Sequence, residues 1–396
     1  MGRVDVAVVG GCGHVGLPLA LAFSGCGLRV AVYDVSQTAV EMVRSGRMPF
    51  QEPGAPEALA AALSTGTFTV GTDPEVLRSA DSVVVVIGTP IDKHLNPEAL
   101  GVPLEIDKLR PYLTDGQLLV LRSTLYPGVT QMVERLFQAR GPVVDVAFCP
   151  ERIAEGKAMT ELYTLPQLVS GRTAEIRARA AQLFSRLTPM IVELEPEEAE
   201  LAKLFTNTWR YIKFATANQL YMIANDFGLD YERIRLALAQ DYPRAQDLPG
   251  AGLAAGPCLL KDTMQLAAFN NNQFTLGHSA MLINEGLPLY TVARLERRFD
   301  LSSMTVGILG MAFKAESDDI RSSLSYRLKR ILQFKAKRVL CTDPFVSIDP
   351  TLVPLEEVVA EAQLLVIGAP HQLYRDLRVN VPVVDLTNLR GQGSCV

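Results

Sequence analysis

Histidine is scarce in this chain. There are four in 396 residues, His14, His94, His278 and His371, and no two stand at a spacing that zinc ligation uses. Nor does any of them fall with a serine and an aspartate in the order of a hydrolase triad. The six cysteines, Cys12, Cys26, Cys149, Cys258, Cys341 and Cys395, form neither a dense disulfide framework nor a paired CxxC site, which suits a reducing compartment. No apolar run is long enough to span a bilayer, and the first residues lead straight into a strand with no signal-peptide pattern, so a cytoplasmic protein is expected. A formal net charge of −5 gives no electrostatic reason for nucleic acid or an anionic membrane as partner. An anionic ligand must therefore be held by local charges, and no internal repeat or low-complexity tract suggests a scaffold.

What is present is a globular composition, 48% hydrophobic and 20% charged, in a chain long enough for about two to three domains. Val4 to Val9 reads as a buried strand, followed by a glycine turn and a helix starting at Leu17, with a second strand from Leu28 to Tyr33. Further apolar runs at Ser82 to Ile87, Leu118 to Leu121, Val143 to Phe148 and Leu168 to Val169 alternate with helical stretches, the pattern of a doubly wound, Rossmann-like α/β sheet. The first domain is expected over residues 1–195. From Pro196 to Phe227 the pattern becomes one long helix, with proline and glutamates at its start and Gly228 beyond its end. It opens a central helical region, 196–300. A second α/β domain, 301–396, is read from short strands at Thr305 to Leu309, Arg338 to Cys341, Leu364 to Ile367 and Val383 to Asp385, with no glycine fingerprint of its own.

The first chemical motif is Gly11-Cys12-Gly13-His14-Val15-Gly16. Gly11 permits the tight bend, Gly13 lets the backbone approach a pyrophosphate, and Gly16 allows close helix–strand packing; His14 and Val15 lie in the same turn. Asp34, closing the second strand, can accept hydrogen bonds from ribose hydroxyls and would repel a 2′-phosphate, which favours NAD over NADP. The competing readings are a flavin site and a purely structural turn. Two more strand ends carry polar residues where such a sheet opens to ligands, Thr89 in Gly88-Thr89-Pro90 and Ser123-Thr124, and either threonine could equally be a turn or helix cap.

Far downstream, Cys258 sits in Gly256-Pro257-Cys258-Leu259-Leu260-Lys261-Asp262. A thiol working beside a nicotinamide suggests oxidation past an aldehyde, because a thiolate can trap that aldehyde covalently for a second hydride transfer. Outside such a context a lone cysteine is usually a small buried hydrophobe. On the long helix, Lys203 and Asn207 share a face four residues apart, with Glu200 a turn earlier. They could converge on a developing oxyanion. By spacing alone, a solvated helix face is the simpler reading.

In combination these residues resemble the nucleotide-sugar 6-dehydrogenases, the family of UDP-glucose and UDP-N-acetylmannosamine dehydrogenases. The likeness runs the length of the chain and is carried by the glycine turn, Ser123-Thr124-Leu125-Tyr126-Pro127-Gly128, Pro150-Glu151-Arg152-Ile153-Ala154-Glu155-Gly156, Lys203 with Asn207, Gly256 to Asp262, and Phe313-Lys314 followed by Asp318-Asp319-Ile320-Arg321. The resemblance implies two Rossmann-like domains joined by a long helix, a homodimer formed through that helix, and conversion of a sugar C6 alcohol to a carboxylate with reduction of two NAD⁺. It implies Cys258 as nucleophile, Lys203 and Asn207 as oxyanion stabilisers that also meet the substrate, and Asp262, Thr124 and Glu155 positioning or activating water. Glu151 and Arg152 would lie near the nucleotide sugar, Lys314 would hold its nucleotide, Arg244 would reach a neighbouring subunit's sugar, and Arg321 would reach the coenzyme together with Thr89 and Thr124. No metal is needed for that chemistry.

Several residues depart from the family pattern. His14 stands where many members have tyrosine, Thr387 near where many place a substrate arginine, and Gly-Pro-Cys replaces the commoner Gly-Gly-x-Cys. The Pro-Glu-Arg opening resembles members acting on 2-acetamido sugars, whereas Glu155 is closer to the glucose-acting pattern, which leaves hexose and nucleotide open. The alternatives are a two-electron β-hydroxyacid dehydrogenase, which also pairs lysine and asparagine on a central helix but lacks the cysteine loop, and an NAD-binding regulatory protein without turnover.

Overall fold

A computed structural model of the chain describes residues 3–89, 98–394 and 396, so Pro90, His94 and Cys395 lie outside the described residues. Two compact units divide it, Met1–Phe205 and Thr206–Val396, and the division falls within one helix, Pro196–Asp226.

The first unit is built on eight strands: β1 (Val4–Val9), β2 (Val30–Tyr33), β3 (Phe68–Gly71), β4 (Ala80–Val85), β5 (Leu118–Leu121), β6 (Asp145–Phe148), β7 (Gln167–Gly171) and β8 (Ile191–Leu194). They lie in the order β3-β2-β1-β4-β5-β6-β7-β8. The order reverses at β1, so a ligand crevice is expected beyond the carboxyl ends of β1 and β4. β1 shows why the sheet is doubly wound. Val6 and Val8 enter a core on one face with Leu17, Leu21 and Phe23, while Ala7 and Val9 enter a core on the other with Leu119, Val133 and Phe148. The run Val6 to Val9, apolar at four successive positions, must be covered on both sides.

The sheet differs from the expectation in three ways. β7 runs antiparallel to β6, pairing Ala147 with Gly171, while every other neighbouring pair in the sheet is parallel. The edge strands β3 and β8 carry too little buried surface to stand out as apolar runs. And several ends shift by about two residues, because hydrogen bonding and not hydropathy ends a strand. Ile87 N turns away to Ser123 Oγ at 2.9 Å, so β4 stops at Val85, and Val143 is exposed with its N–H on Asp115 Oδ1 at 2.7 Å, so β6 starts at Asp145.

In the second unit, the later part of the long helix and the helices Tyr231–Ala239, Leu259–Phe269 and Thr275–Glu296 precede a four-stranded parallel sheet. Its strands are β9 (Thr305–Leu309), β10 (Arg338–Thr342), β11 (Leu364–Ile367) and β12 (Val383–Val384), ordered β10-β9-β11-β12. Val306, Ile308 and Val366 pack on Tyr221, Leu287 and Leu295 of the helices, and Leu309, Leu365 and Ile367 form a smaller core on the opposite face. The long helix ends where expected: Gly228 adopts φ +69° and Leu229 N closes on Ala224 O at 2.9 Å. Among the described residues no helix is long and apolar enough to cross a membrane.

Candidate active site and coenzyme turn

At the end of β1 the left-handed residue is Gly10, with φ +69°, and not Gly11. A Cβ on Gly10 would fall 2.0 Å from Val86 O, so the sharp bend and the close passage to β4 are both made there. Gly11 is constrained by packing instead: its Cβ would meet Val32 at 2.7 Å and Val8 O at 2.8 Å. Gly16, at the start of helix Gly16–Gly25, would place a Cβ 2.5 Å from Gly10 O. Gly13 differs from all three. It is exposed, and a Cβ on it would meet nothing closer than 3.7 Å, so its bareness serves space outside the protein fold. That open space above a helix N-terminus is what a pyrophosphate requires.

Asp34 binds the turn to the sheet. Its Oδ2 accepts from Cys12 N at 2.9 Å and its Oδ1 from Ser36 N at 2.9 Å. His14 stacks on Phe50 with ring centroids 4.1 Å apart, and Val15 is half-buried beside it. The glycine turn and Asp34 therefore fit a dinucleotide.

Thr89 and Thr124 are both half-buried at the carboxyl ends of β4 and β5. The loop after Thr124 is held from the long helix. Glu200, fully buried, accepts from Gly128 N at 2.7 Å, Thr130 N at 2.8 Å and Thr130 Oγ1 at 2.6 Å, capping helix Val129–Ala139. Burial pushes its carboxyl up, against the pull of those donors. Glu200 is thus an anchor for the Ser-Thr loop and has no share in a reactive face with Lys203.

The loop carrying Glu151, Arg152 and Glu155 is suspended on carboxylates. Glu151 is buried; its Oε2 pairs with Arg122, and its Oε1 accepts Arg152 N at 2.7 Å and Ile153 N at 3.0 Å. Glu161 takes Ala154 N at 2.6 Å, and Glu52 takes Gly156 N and Ala158 N at 2.8 Å each. Arg122 itself has no exposed side-chain surface, lies over the Phe184 ring and donates to Cys149 O and Gln167 Oε1 at 3.0 Å each. Arg152 donates to Pro166 O. Glu155 stands half-buried in the middle of this suspended segment. Arg122, Glu52 and Glu161 escaped the sequence reading, since nothing local announces partners up to 106 positions away.

On the long helix Lys203 and Asn207 are both buried. Asn207 Nδ2 donates to Asp262 Oδ2 at 2.5 Å. Asp262 is fully buried, and its other oxygen lies 3.3 Å from Lys261 Nζ, an ion pair without hydrogen-bond geometry. One turn earlier, Cys258 occupies the N-cap of helix Leu259–Phe269 and is exposed. A sulfur there sits in the positive field of the helix end. The other described thiols are unsuited: burial pushes Cys12 and Cys149 up to about 12 and Cys341 up to about 11, and Cys26 is also raised by burial. Ahead of Cys258, Gly256 has φ +107° and a Cβ on it would lie 2.7 Å from the Phe313 ring, so the cysteine loop is seated on the residue next to Lys314.

Lys314 Nζ lies 5.6 Å from the Phe313 ring centroid, Arg321 grips Asp319 through Nη2 at 2.6 Å, and Arg244 is exposed against Tyr242. Thr387 donates to Asp385 at 2.9 Å, and its methyl lies 3.1 Å from a Cβ built on Gly252, so it serves as packing for the segment leading to the cysteine loop. A polar cleft of about 580 Å³ opens at the opposite edge of the first sheet, where the strands begin, but its charges are spent on ion pairs such as Arg3–Asp81 and Arg179–Asp145.

The model for the UDP-glucose/GDP-mannose dehydrogenase family matches the chain in three parts: the NAD-binding domain over residues 4–188, the central domain over 197–286 and the UDP-binding domain over 307–390. A UDP-N-acetyl-D-mannosamine dehydrogenase of Yersinia pestis is 29% identical over 93% of this chain and 94% of its own. An NDP-N-acetyl-D-galactosaminuronic acid dehydrogenase of Ralstonia nicotianae is 28% identical over 94% and 92%. Among solved structures, the UDP-D-ManNAc dehydrogenase of Pyrococcus horikoshii superposes with TM-score 0.90 at 26% identity, covering 97% of this chain and 96% of that one. The UDP-glucose dehydrogenase of Pyrobaculum islandicum gives TM-score 0.90 at 27% identity, covering 98% and 95%.

Proposed function

Because the chain belongs to the UDP-glucose/GDP-mannose dehydrogenase family, we propose that it oxidises the C6 hydroxyl of a nucleotide-diphospho-hexose to the carboxylate through a covalent intermediate on Cys258. The coarser statement needs no proposal: it is an NAD-dependent dehydrogenase of a nucleotide sugar, with the family's NAD-binding and UDP-binding domains over most of its length. The observation that carries the finer reading is Cys258, exposed at a helix N-terminus one turn before the buried Asp262–Asn207 pair.

Bound NAD⁺ supplies the hydride acceptor, once for each two-electron oxidation. Lys203 Nζ and the second hydrogen on Asn207 Nδ2 donate to O6, stabilising the negative charge that builds there as the hydroxyl loses its proton and C6 loses a hydride. Cys258 Sγ then adds to C6 of the aldehyde, forming a C–S bond, and the oxygen takes up a proton to give a thiohemiacetal. Loss of a second hydride to NAD⁺ and of the hydroxyl proton to water leaves a thioester. Water, held by Asp262, Thr124 and Glu155, attacks C6; the C–S bond breaks, and the uronate and the thiol are released. Gly11, Gly13, His14, Val15, Gly16, Asp34, Thr89 and Arg321 serve the coenzyme, and Glu151, Arg152, Arg244 and Lys314 the nucleotide sugar. Since both carboxylate oxygens of Glu151 are engaged by Arg122 and by loop amides, its part is to shape the loop.

The names of the relatives and the Pro150-Glu151-Arg152 motif favour a UDP-N-acetylhexosamine over UDP-glucose. A panel of UDP-glucose, UDP-N-acetylglucosamine, UDP-N-acetylmannosamine and thymidine analogues, followed at the absorbance of reduced nicotinamide, tests this directly. Two NADH per sugar are expected; one would favour the two-electron β-hydroxyacid type, and none with any sugar nucleotide a binding protein.

The long helix also supports a homodimer. Trp209 and Ile223 on it, Phe227 just beyond its end, and Leu276 and Leu282 on helix Thr275–Glu296 are exposed, and an apolar groove lined by Ile212, Leu220, Ala280 and Ile283 lies in the same unit. Light scattering should give twice 43.2 kDa; a monomer at micromolar concentration rules out the second copy.

A further inference from the structure

The second sheet repeats the opening turn of the first. Gly310 follows β9 with φ +92°, as Gly10 follows β1 with φ +69°, and each donates its N–H over 2.9 Å to the last residue of the neighbouring strand, Thr342 or Tyr33. Each neighbouring strand is followed by an aspartate that reaches back to the turn. Asp343 Oδ2 accepts from Ala312 N at 2.9 Å, just as Asp34 Oδ2 accepts from Cys12 N at 2.9 Å. Counting from Gly10 and Gly310, Phe313 falls on the position of Gly13 and Lys314 on that of His14. As expected, this domain has no glycine fingerprint, since Met311, Phe313 and Glu316 stand where the first turn has Gly11, Gly13 and Gly16; what is kept is the frame of Gly310 and Asp343.

Two differences set the copy apart. Phe313 stands where the first turn has Gly13, and its ring packs against Gly256. And whereas Asp34 holds two amides, the Asp343 side chain has no exposed surface and holds four, from Met311 at 2.6 Å, Ala312 at 2.9 Å, Phe345 at 2.8 Å and Val346 at 3.1 Å, besides His371 Nε2 at 3.1 Å. An acid so occupied has nothing to offer a ribose.

His371 is the addition. Its side chain has no exposed surface and lies between Phe345 and Tyr374. Its Nδ1 accepts from Glu316 N at 2.9 Å, so the ring proton is on Nε2 and is donated to Asp343. Glu316 has φ +53°, which a non-glycine residue rarely adopts, and its Oε1 accepts from Gln372 N at 2.8 Å. The segment from Met311 to Glu316 is thus fastened near its start to Asp343 and at its end to His371, with Lys314 in between.

We infer that His371 is a positioning residue for nucleotide binding: through the Glu316 amide it fixes the loop that presents Lys314, converting the closed turn from a dinucleotide seat into a mount for one lysine. A lysine on a loop already held in one conformation loses less freedom on meeting a phosphate-bearing ligand. The inference rests on the reading of Lys314 as a nucleotide ligand.

The test compares two conservative variants in the full chain, with UDP binding measured by calorimetry. His371→Asn keeps an acceptor near the position of Nδ1; His371→Gln keeps a donor near Nε2 and loses that acceptor. His371→Gln is expected to weaken UDP binding about tenfold while His371→Asn stays near wild type, with NAD affinity unchanged in both. On a Lys314→Met background the difference between Asn and Gln should vanish. Equal UDP affinity for Asn and Gln, or a Gln deficit that persists in full on Lys314→Met, overturns the role of His371. If Lys314→Met by itself leaves UDP affinity intact, the reading of Lys314 falls and the inference with it.

Discussion

Asn207 Nδ2 donates to Asp262 Oδ2 across 2.5 Å, so the long helix and the helix that begins beyond Cys258 meet through one buried hydrogen bond. A carboxylate oxygen only accepts, so it fixes which end of the Asn207 amide faces it and leaves the second amide hydrogen to point elsewhere. Asp262→Asn removes that constraint, because two amides can pair either way round. The expected outcome is a fall in kcat of roughly 10²-fold or more with NAD affinity unchanged, read by stopped-flow formation of NADH. Wild-type kcat in this variant would remove both residues from the chemistry.

Cys258→Ala should make no uronate while still binding NAD, since the glycine turn lies in the other compact unit. Mass spectrometry of the product mixture decides it. Uronate formed at the wild-type rate would mean that no carbon–sulfur bond is needed.

Asp34→Ala should shift the ratio of kcat/KM for NAD over NADP towards NADP by about tenfold or more, because the charge that repels a 2′-phosphate is gone. The same change removes the acceptor of Cys12 N, so NAD affinity should fall as well. An unaltered ratio would contradict the ribose role.

The four glycines of the first turn should separate by kind. Gly13→Val adds atoms to open space and is expected to weaken NAD binding with little change in Tm, whereas Gly16→Val drives a side chain into Gly10 O, 2.5 Å from the Cβ position, and should lower Tm by several degrees. Equal losses of Tm in the two variants would contradict the assignment of Gly13 to the ligand.

How much of this was legible beforehand depended on the range of the interaction. Strands β1, β5, β9 and β11 could be read to the residue, because a strand covered on both faces carries a nearly continuous apolar run. β3 and β8 could not, since edge strands bury only part of their surface, and no local pattern tells that β7 runs against β6. Motif residues were visible through their spacing. The holding role of the carboxylates Glu52, Glu161, Glu200 and Asp343 was not, even for Glu200, which was read only as a neighbour of Lys203, because each works on a loop that is distant in sequence or on backbone amides that leave no mark on residue choice.

Asp343 gives the acid behaviour of the second unit. Burial raises its carboxyl, but the donors from His371, Ala312 and Phe345 outweigh it and bring the group from 3.8 down to about 2. A carboxyl lowered on folding stabilises above its unfolded value and loses that contribution as pH falls towards the folded one. Asp343→Asn should therefore cost on the order of 2 kcal/mol at neutral pH, with the gap to wild type closing between about pH 4 and about pH 2. Urea midpoints across that range check it; a gap constant with pH would mean that the charge contributes nothing.

The aromatic ring of Phe313 has a consequence for turnover. With Phe313 in the second turn where the first has Gly13, the glycine turn of the first sheet would have to serve both rounds of the proposed four-electron oxidation. In that scheme spent coenzyme would depart and a new molecule dock while the half-converted sugar stays behind. An aldehyde held only by weak contacts could escape during that exchange, and the proposed tether of sulfur to carbon would keep it waiting.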